Sequence, residues 1–205
     1  MPYANSGGQI ALVILIGLAA GCGKLLGPSS SSPAVAGHDF QLPISMSQID
    51  PSTDTAIWPY GAKGNEHPAG HPGIDFLLIP GGDVLADQSG TVSEISQNAG
   101  GEKGVVVRHG DGWLSYYTGN FLSLSVSTGQ SVTAGQLIGK AAQFGGIGPA
   151  SWHWGIADEN SKQTSCPADF LDTTARAQLQ ALLDRSAVPG KDQTPLLCNP
   201  CPNCT

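Results

Sequence analysis

Between residues 40 and 157 the apolar positions fall in short runs cut by Gly, Asp and Pro, and no helical period emerges. Strands are expected at 75–79, 83–86, 90–95, 104–108, 113–117, 122–126 and 136–139, most of them β-branched and bounded by turn residues. Asp111-Gly112 is a pair favoured in hairpin turns, and Pro80-Gly81-Gly82 marks another turn. In 151–156, strand alternation puts Trp152, Trp154 and Ile156 on one face and His153 on the other. Helical spacing comes only late, at 172–185, with Ala175, Leu179, Leu182 and Leu183 on one stripe and Asp172 placed to cap. The pattern predicts an all-β core with one short C-terminal helix packed on its outside. No period of a solenoid or propeller runs through it.

The N-terminus is patterned differently. Residues 10–20 form an apolar run of 11, too short to span a bilayer, ending in Ala19-Ala20-Gly21-Cys22. This reads as a secretory signal whose Cys resembles the lipidated residue of a bacterial lipobox. Ala19 stands where Leu is preferred, and no Lys or Arg precedes the run. Residues 23–39, rich in Ser, Pro and Gly, read as a tether. The expected organisation is therefore a signal with lipid anchor over 1–22, the tether, a β domain over 40–160, and a helix with a Cys-rich tail over 161–205. An exported envelope protein fits that layout.

Composition removes some partners. Lys and Arg number 9 against 16 Asp and Glu, a net charge of −7, so the basic footprint of nucleic-acid binding is missing. Cys166, Cys198, Cys201 and Cys204 remain besides Cys22, an even number that suggests two disulfides pinning the tail to the domain. A thiolate metal site from the same four is the alternative reading.

Candidate chemistry rests on five His. His71 and Asp75 flank a Pro72-Gly73 turn at a strand entrance, and His153 comes from another strand. Two imidazoles and a carboxylate are the three-ligand set of a catalytic zinc site, whose fourth position holds water. His67, four residues before His71, is a candidate substitute base, although its Pro and Gly neighbours suit a surface loop. His109 reads as a residue ending a strand, and His38 lies in the tether. Trp152 and Trp154 read as core or groove wall, and Asp158 and Glu159 as solvated residues beyond the last strand.

At these residues the chain resembles the lysostaphin/LytM-type zinc endopeptidases of bacterial cell walls. The family's His-x-x-x-Asp motif matches His71 and Asp75, and the second His of its His-x-His motif matches His153. Segments 104–112 and 126–139 follow its internal pattern. The resemblance implies a compact antiparallel β fold, Zn²⁺ held by His71, Asp75 and His153, and hydrolysis of peptide cross-links in peptidoglycan. It also exposes two departures. The first His of His-x-His falls on Ser151, and a second catalytic His falls on or near Asn120. Neither replacement titrates near neutral pH. Two functions follow: a zinc endopeptidase of impaired mechanism, or an inactive relative that binds peptidoglycan or regulates a wall hydrolase. A lipoyl- or biotinyl-type carrier would need a modifiable Lys at an exposed hairpin tip, a setting that Lys103 and Lys140 lack.

Overall fold

The computed structural model describes residues 40–54, 56–64, 66–143, 148–186 and 196–201. The signal, Cys22, the tether with His38, and Cys204 lie outside them. Among the described residues no helix is long and apolar enough to cross a membrane.

The strands are β1 (Ile57–Trp58), β2 (Ile74–Leu78), β3 (Asp83–Leu85), β4 (Gly90–Gln97), β5 (Lys103–Arg108), β6 (Trp113–Gly119), β7 (Phe121–Leu124), β8 (Ser131–Val132), β9 (Leu137–Ala141), β10 (Ala150–Asp158) and β11 (Thr164–Ser165). The main sheet runs β1-β2-β10-β6-β5-β4-β8, with β11 added against β10, and the second runs β3-β9-β7. All strand pairs are antiparallel. The all-β reading holds, with the seven expected strands present to within a few residues. The two-residue strands β1, β8 and β11 carry too few positions to show alternation, and the sequence pattern does not reveal them.

Alternation decides which face is core. Along β2, Ile74, Phe76 and Leu78 are fully buried while Asp75 and Leu77 turn outward. Along β10, Trp152, Trp154 and Ile156 are buried, Ser151 is exposed and His153 half-buried. Trp152 stacks between Phe76 and Tyr117, with ring centroids 6.2 and 5.8 Å away. Both Trp are therefore core. Burying side chains of this size contributes about 1.5–3 kcal/mol each, which locks the register and with it the outward row. That row crosses three strands in register: Asp75 on β2, His153 on β10 and Thr118 on β6.

Helix α1 (Thr173–Arg185) opens on Asp172, whose carboxylate accepts the Ala175 N–H at 2.7 Å. It buries Leu179, Leu182 and Leu183 beside β1, the stripe the spacing predicts. The tail is tied to the domain by a Cys166–Cys198 disulfide, Cα atoms 5.5 Å apart. With those two sulfurs joined, the four-thiolate metal site is set aside. Past Cys198, Asn199 donates its backbone N–H to the Tyr60 carbonyl at 3.0 Å. The tail thereby packs so tightly on Gly61 that a Cβ there would lie 2.4 Å from the Asn199 oxygen. Gly61 also has φ +72°, so two independent constraints require glycine.

His109 follows β5 as expected, and at 2 % exposed it belongs to a buried network. Asp87 accepts Ser115 Oγ–H at 2.5 Å, Tyr117 O–H at 2.5 Å and Trp154 Nε1–H at 2.7 Å. His109 meets Ser115 Oγ through Nε2 at 2.8 Å and the Ser89 carbonyl through Nδ1 at 3.0 Å. Burial pushes the Asp87 carboxyl up, against the opposing pull of His109 and its three donors. The buried carboxylate is thus compensated by three donors and by the nearby His109 ring. Removing the carboxylate strands several donors in the core. Asp87→Ala is expected to cost about 3–5 kcal/mol, read as a lowered midpoint in urea unfolding. A midpoint unchanged from wild type would show that the network contributes nothing.

Candidate metal centre

Three side chains converge over the β2–β10 pair of the main sheet. His71 enters β2 from a hairpin, Asp75 is the first outward residue of that strand, and His153 faces it across the ladder. Asp75 Oδ1 lies 3.1 Å from His71 Nε2 and 2.7 Å from His153 Nδ1, and the two nitrogens are 3.1 Å apart. Gly73 makes room for this: a Cβ there would lie 2.6 Å from the His153 ring.

The ring of His71 is fixed by its far side. Its Nδ1 is 3.3 Å from the Pro59 carbonyl, which can only accept, so Nδ1 carries the proton and Nε2 faces the cluster. Burial works to raise the Asp75 carboxyl. Close contact with the His153 and His71 rings outweighs it and holds the group well below the usual carboxylate range. An ionised carboxylate between two imidazoles is a hard-and-borderline donor set suited to Zn²⁺. The fit is close in size as well. Tetrahedral zinc sets its ligand atoms about 3.3 Å apart, a few tenths of an ångström beyond these distances. His71 is fully buried, whereas Asp75 and His153 are 27 % and 24 % exposed, so the cluster is reached from one side.

Asn120 and Ser151 flank the same centre. Trp152 and Gly119 are the last pair of the β10–β6 ladder, and Ser151 and Asn120 each lie one residue beyond. Ser151 is two positions from His153 on the same face and exposed; Asn120 is half-buried, its carbonyl accepting the Ala142 N–H at 2.7 Å. The structure thus brings both substituted positions to the edge of the candidate ligands.

His67 is nearer than a plain surface loop would put it. The hairpin folds it back until its ring centroid is 4.9 Å from that of His71. Burial lowers its pKa, and the neighbouring His71 ring adds to the shift. Trp58, its ring centroid 6.3 Å from that of His71, lies beneath the hairpin, where a Cβ on Gly64 would come within 2.8 Å of it. Glu159 corrects an expectation, since it pairs with Arg108 at 2.6 Å instead of standing free in solvent. Asp158 accepts the backbone N–H of Asn160 and Ser161 and so closes a turn.

An antiparallel β domain with a His/Asp/His cluster open to one side defines the class. Residues 69–165 match the model of Peptidase family M23, and over that stretch the chain is similar to M23 peptidases. No curated protein matches the chain. Among solved structures, Csd3 of Helicobacter pylori is 22 % identical with a TM-score of 0.50, covering 67 % of this chain and 36 % of its own. At that identity the likeness is one of fold. The catalytic domain of the antimicrobial peptidase lysostaphin from Staphylococcus simulans is 26 % identical (TM-score 0.43; 56 % of this chain, 87 % of that one). A zinc-containing peptidase from Vibrio cholerae is 20 % identical (TM-score 0.49; 63 % and 39 %). The chain thus spans well under half the length of two of these three relatives. The match to the M23 model also weighs against the carrier reading, and Lys140 is paired with Asp83 on the second sheet.

Proposed function

We propose that the domain binds Zn²⁺ through His71, Asp75 and His153 and cleaves stem or bridge peptides of bacterial peptidoglycan, slowly, from an exported chain anchored by lipid at Cys22. The observation that carries the reading is the convergence of three ligand atoms within 3.1 Å of one another. Atoms of this kind stay so close only around a shared proton or a cation. A bound zinc ion supplies Lewis-acid polarisation of a peptide carbonyl and of water.

The chain's own groups account for the slowness. Pro59 holds the His71 ring in one tautomer, and Asp75 brings the negative charge. Asn120 and Ser151 can donate a hydrogen bond to a developing oxyanion, but neither can take a proton from water near neutral pH. Loss of a positioned base lowers the rate roughly 10²- to 10⁴-fold. A peptide lying along the outward row would meet Thr118 beside His153 and Tyr116 two residues farther along β6.

The test combines two measurements on full-length protein extracted from membranes. Metal analysis is expected to give about one zinc per chain. Prolonged incubation with purified peptidoglycan should release peptides with new amino termini, detected by mass spectrometry. A zinc-loaded protein that leaves peptidoglycan intact would overturn the hydrolase reading, and a protein that cannot be loaded would overturn the zinc reading.

A further inference from the structure

We propose that His67 is a fourth protein ligand, closing the zinc site when no substrate is present. The inference rests on the zinc reading above and concerns the state of that same site. Three-ligand sites keep a water position open for catalysis, whereas four protein ligands make a closed shell. A chain whose own hairpin supplies the fourth ligand holds its metal in reserve.

The hairpin is built to keep His67 there. Its arms are tied by Gly61 N–H to the His71 carbonyl at 2.8 Å and His71 N–H to the Ala62 carbonyl at 2.9 Å. At its end Gly64 and His67 exchange N–H···O bonds of 3.2 and 3.3 Å, and Gly70 N–H reaches the His67 carbonyl at 3.1 Å. The backbone of His67 is thus fixed to the strand arm that carries His71 itself. The resulting ring separation of 4.9 Å equals that between His71 and His153, the two imidazoles already in the cluster.

His67 leans on the His71 ring at an interplanar angle of 50°, outside the three-atom cluster. Ligation would take a turn about its side-chain bonds with the backbone unchanged. Two further observations favour a resting ligand. The hairpin is propped from below by Trp58 and, at its base, by the Asn199 backbone on Gly61. Both His that would work on bound water are replaced, by Asn120 and Ser151, so closing the shell idles no base.

Cobalt(II) reports the shell without reference to turnover. Wild type, His67→Ala and His67→Asn are loaded with Co²⁺, and zinc affinity is measured by chelator competition. The backbone hydrogen bonds do not involve the replaced side chain, so both variants keep the fold, checked by circular dichroism. The wild-type visible spectrum should be that of a four-ligand protein shell, unchanged by added azide. Both variants should bind zinc roughly 10- to 100-fold more weakly, and azide should alter their cobalt spectra. Equal affinities, with azide altering wild type and variants alike, would overturn the assignment of His67 and leave three-residue zinc binding intact. Failure of every protein to take up either metal would overturn the zinc reading and this one with it.

Discussion

His153→Ala is expected to strip the domain of zinc while leaving it folded. The reason lies in where the side chain is and what surrounds it. His153 points to the outward face of β10, away from the layer of Trp152, Trp154 and Ile156, so truncation opens no core cavity. It does remove the Nδ1 that lies 2.7 Å from Asp75 and 3.1 Å from His71. The remaining cluster pair, four residues apart, offers one nitrogen and one oxygen, with only the His67 ring left to add to them. Loss of an outer-shell partner alone typically costs 10- to 100-fold in metal affinity, and loss of a ligand is expected to cost roughly 10³-fold or more. Metal content after dialysis should fall from about one equivalent to near zero, with far-ultraviolet dichroism unchanged. Full zinc retention by the variant would show that His153 is no ligand.

Restoring the missing imidazoles should have the opposite sign and a comparable size. Asn120→His with Ser151→His is expected to raise cleavage of a wall-derived peptide by roughly 10²- to 10⁴-fold, the worth of a positioned general base. Both positions border the cluster, one residue beyond the last ladder pair of β10 and β6, and Ser151 is exposed enough to accept a larger side chain. Each new imidazole titrates near neutral pH, which neither an amide nor a hydroxyl does. Even tenfold requires only about 1.4 kcal/mol of transition-state stabilisation. Zinc content should not change, because neither position is a ligand. An unchanged cleavage rate in a double variant of full zinc content would mean that the loss of activity lies elsewhere, in access to the metal or in substrate binding.

His71, Asp75 and His153 could be read from the chain because the signals that place them are local. A Pro-Gly turn at a strand entrance sets the first two, and period-two alternation with large aromatic neighbours sets the third. The same alternation assigned Trp152 and Trp154 to the core. The Asp87 network was invisible for the opposite reason. Its members come from the loop before β4, the end of β5, β6 and β10, and no spacing along the chain relates them. A partial signal existed in Tyr117 and Trp154, inward aromatics whose polar atoms need partners when buried. His67 reads as loop surface along the chain because its nearness to His71 depends on pairing across a hairpin. Gly and Pro around it announce a turn without saying which way the turn folds.

The disulfide has a bearing on where this protein can be cut. The family match ends at residue 165, one position short of Cys166, yet the chain beyond it returns to the ligands. Cys198 pairs with Tyr60 as an isolated bridge, Asn199 bonds the Tyr60 carbonyl, and the neighbouring Pro59 carbonyl is what orients His71. Cys198 and Asn199 are thus scaffolding for a ligand that lies more than a hundred residues earlier. The smallest fragment that carries the candidate centre whole extends at least to Asn199, and a truncation drawn at the family boundary would retain all three ligands but lose the support that aims the first of them.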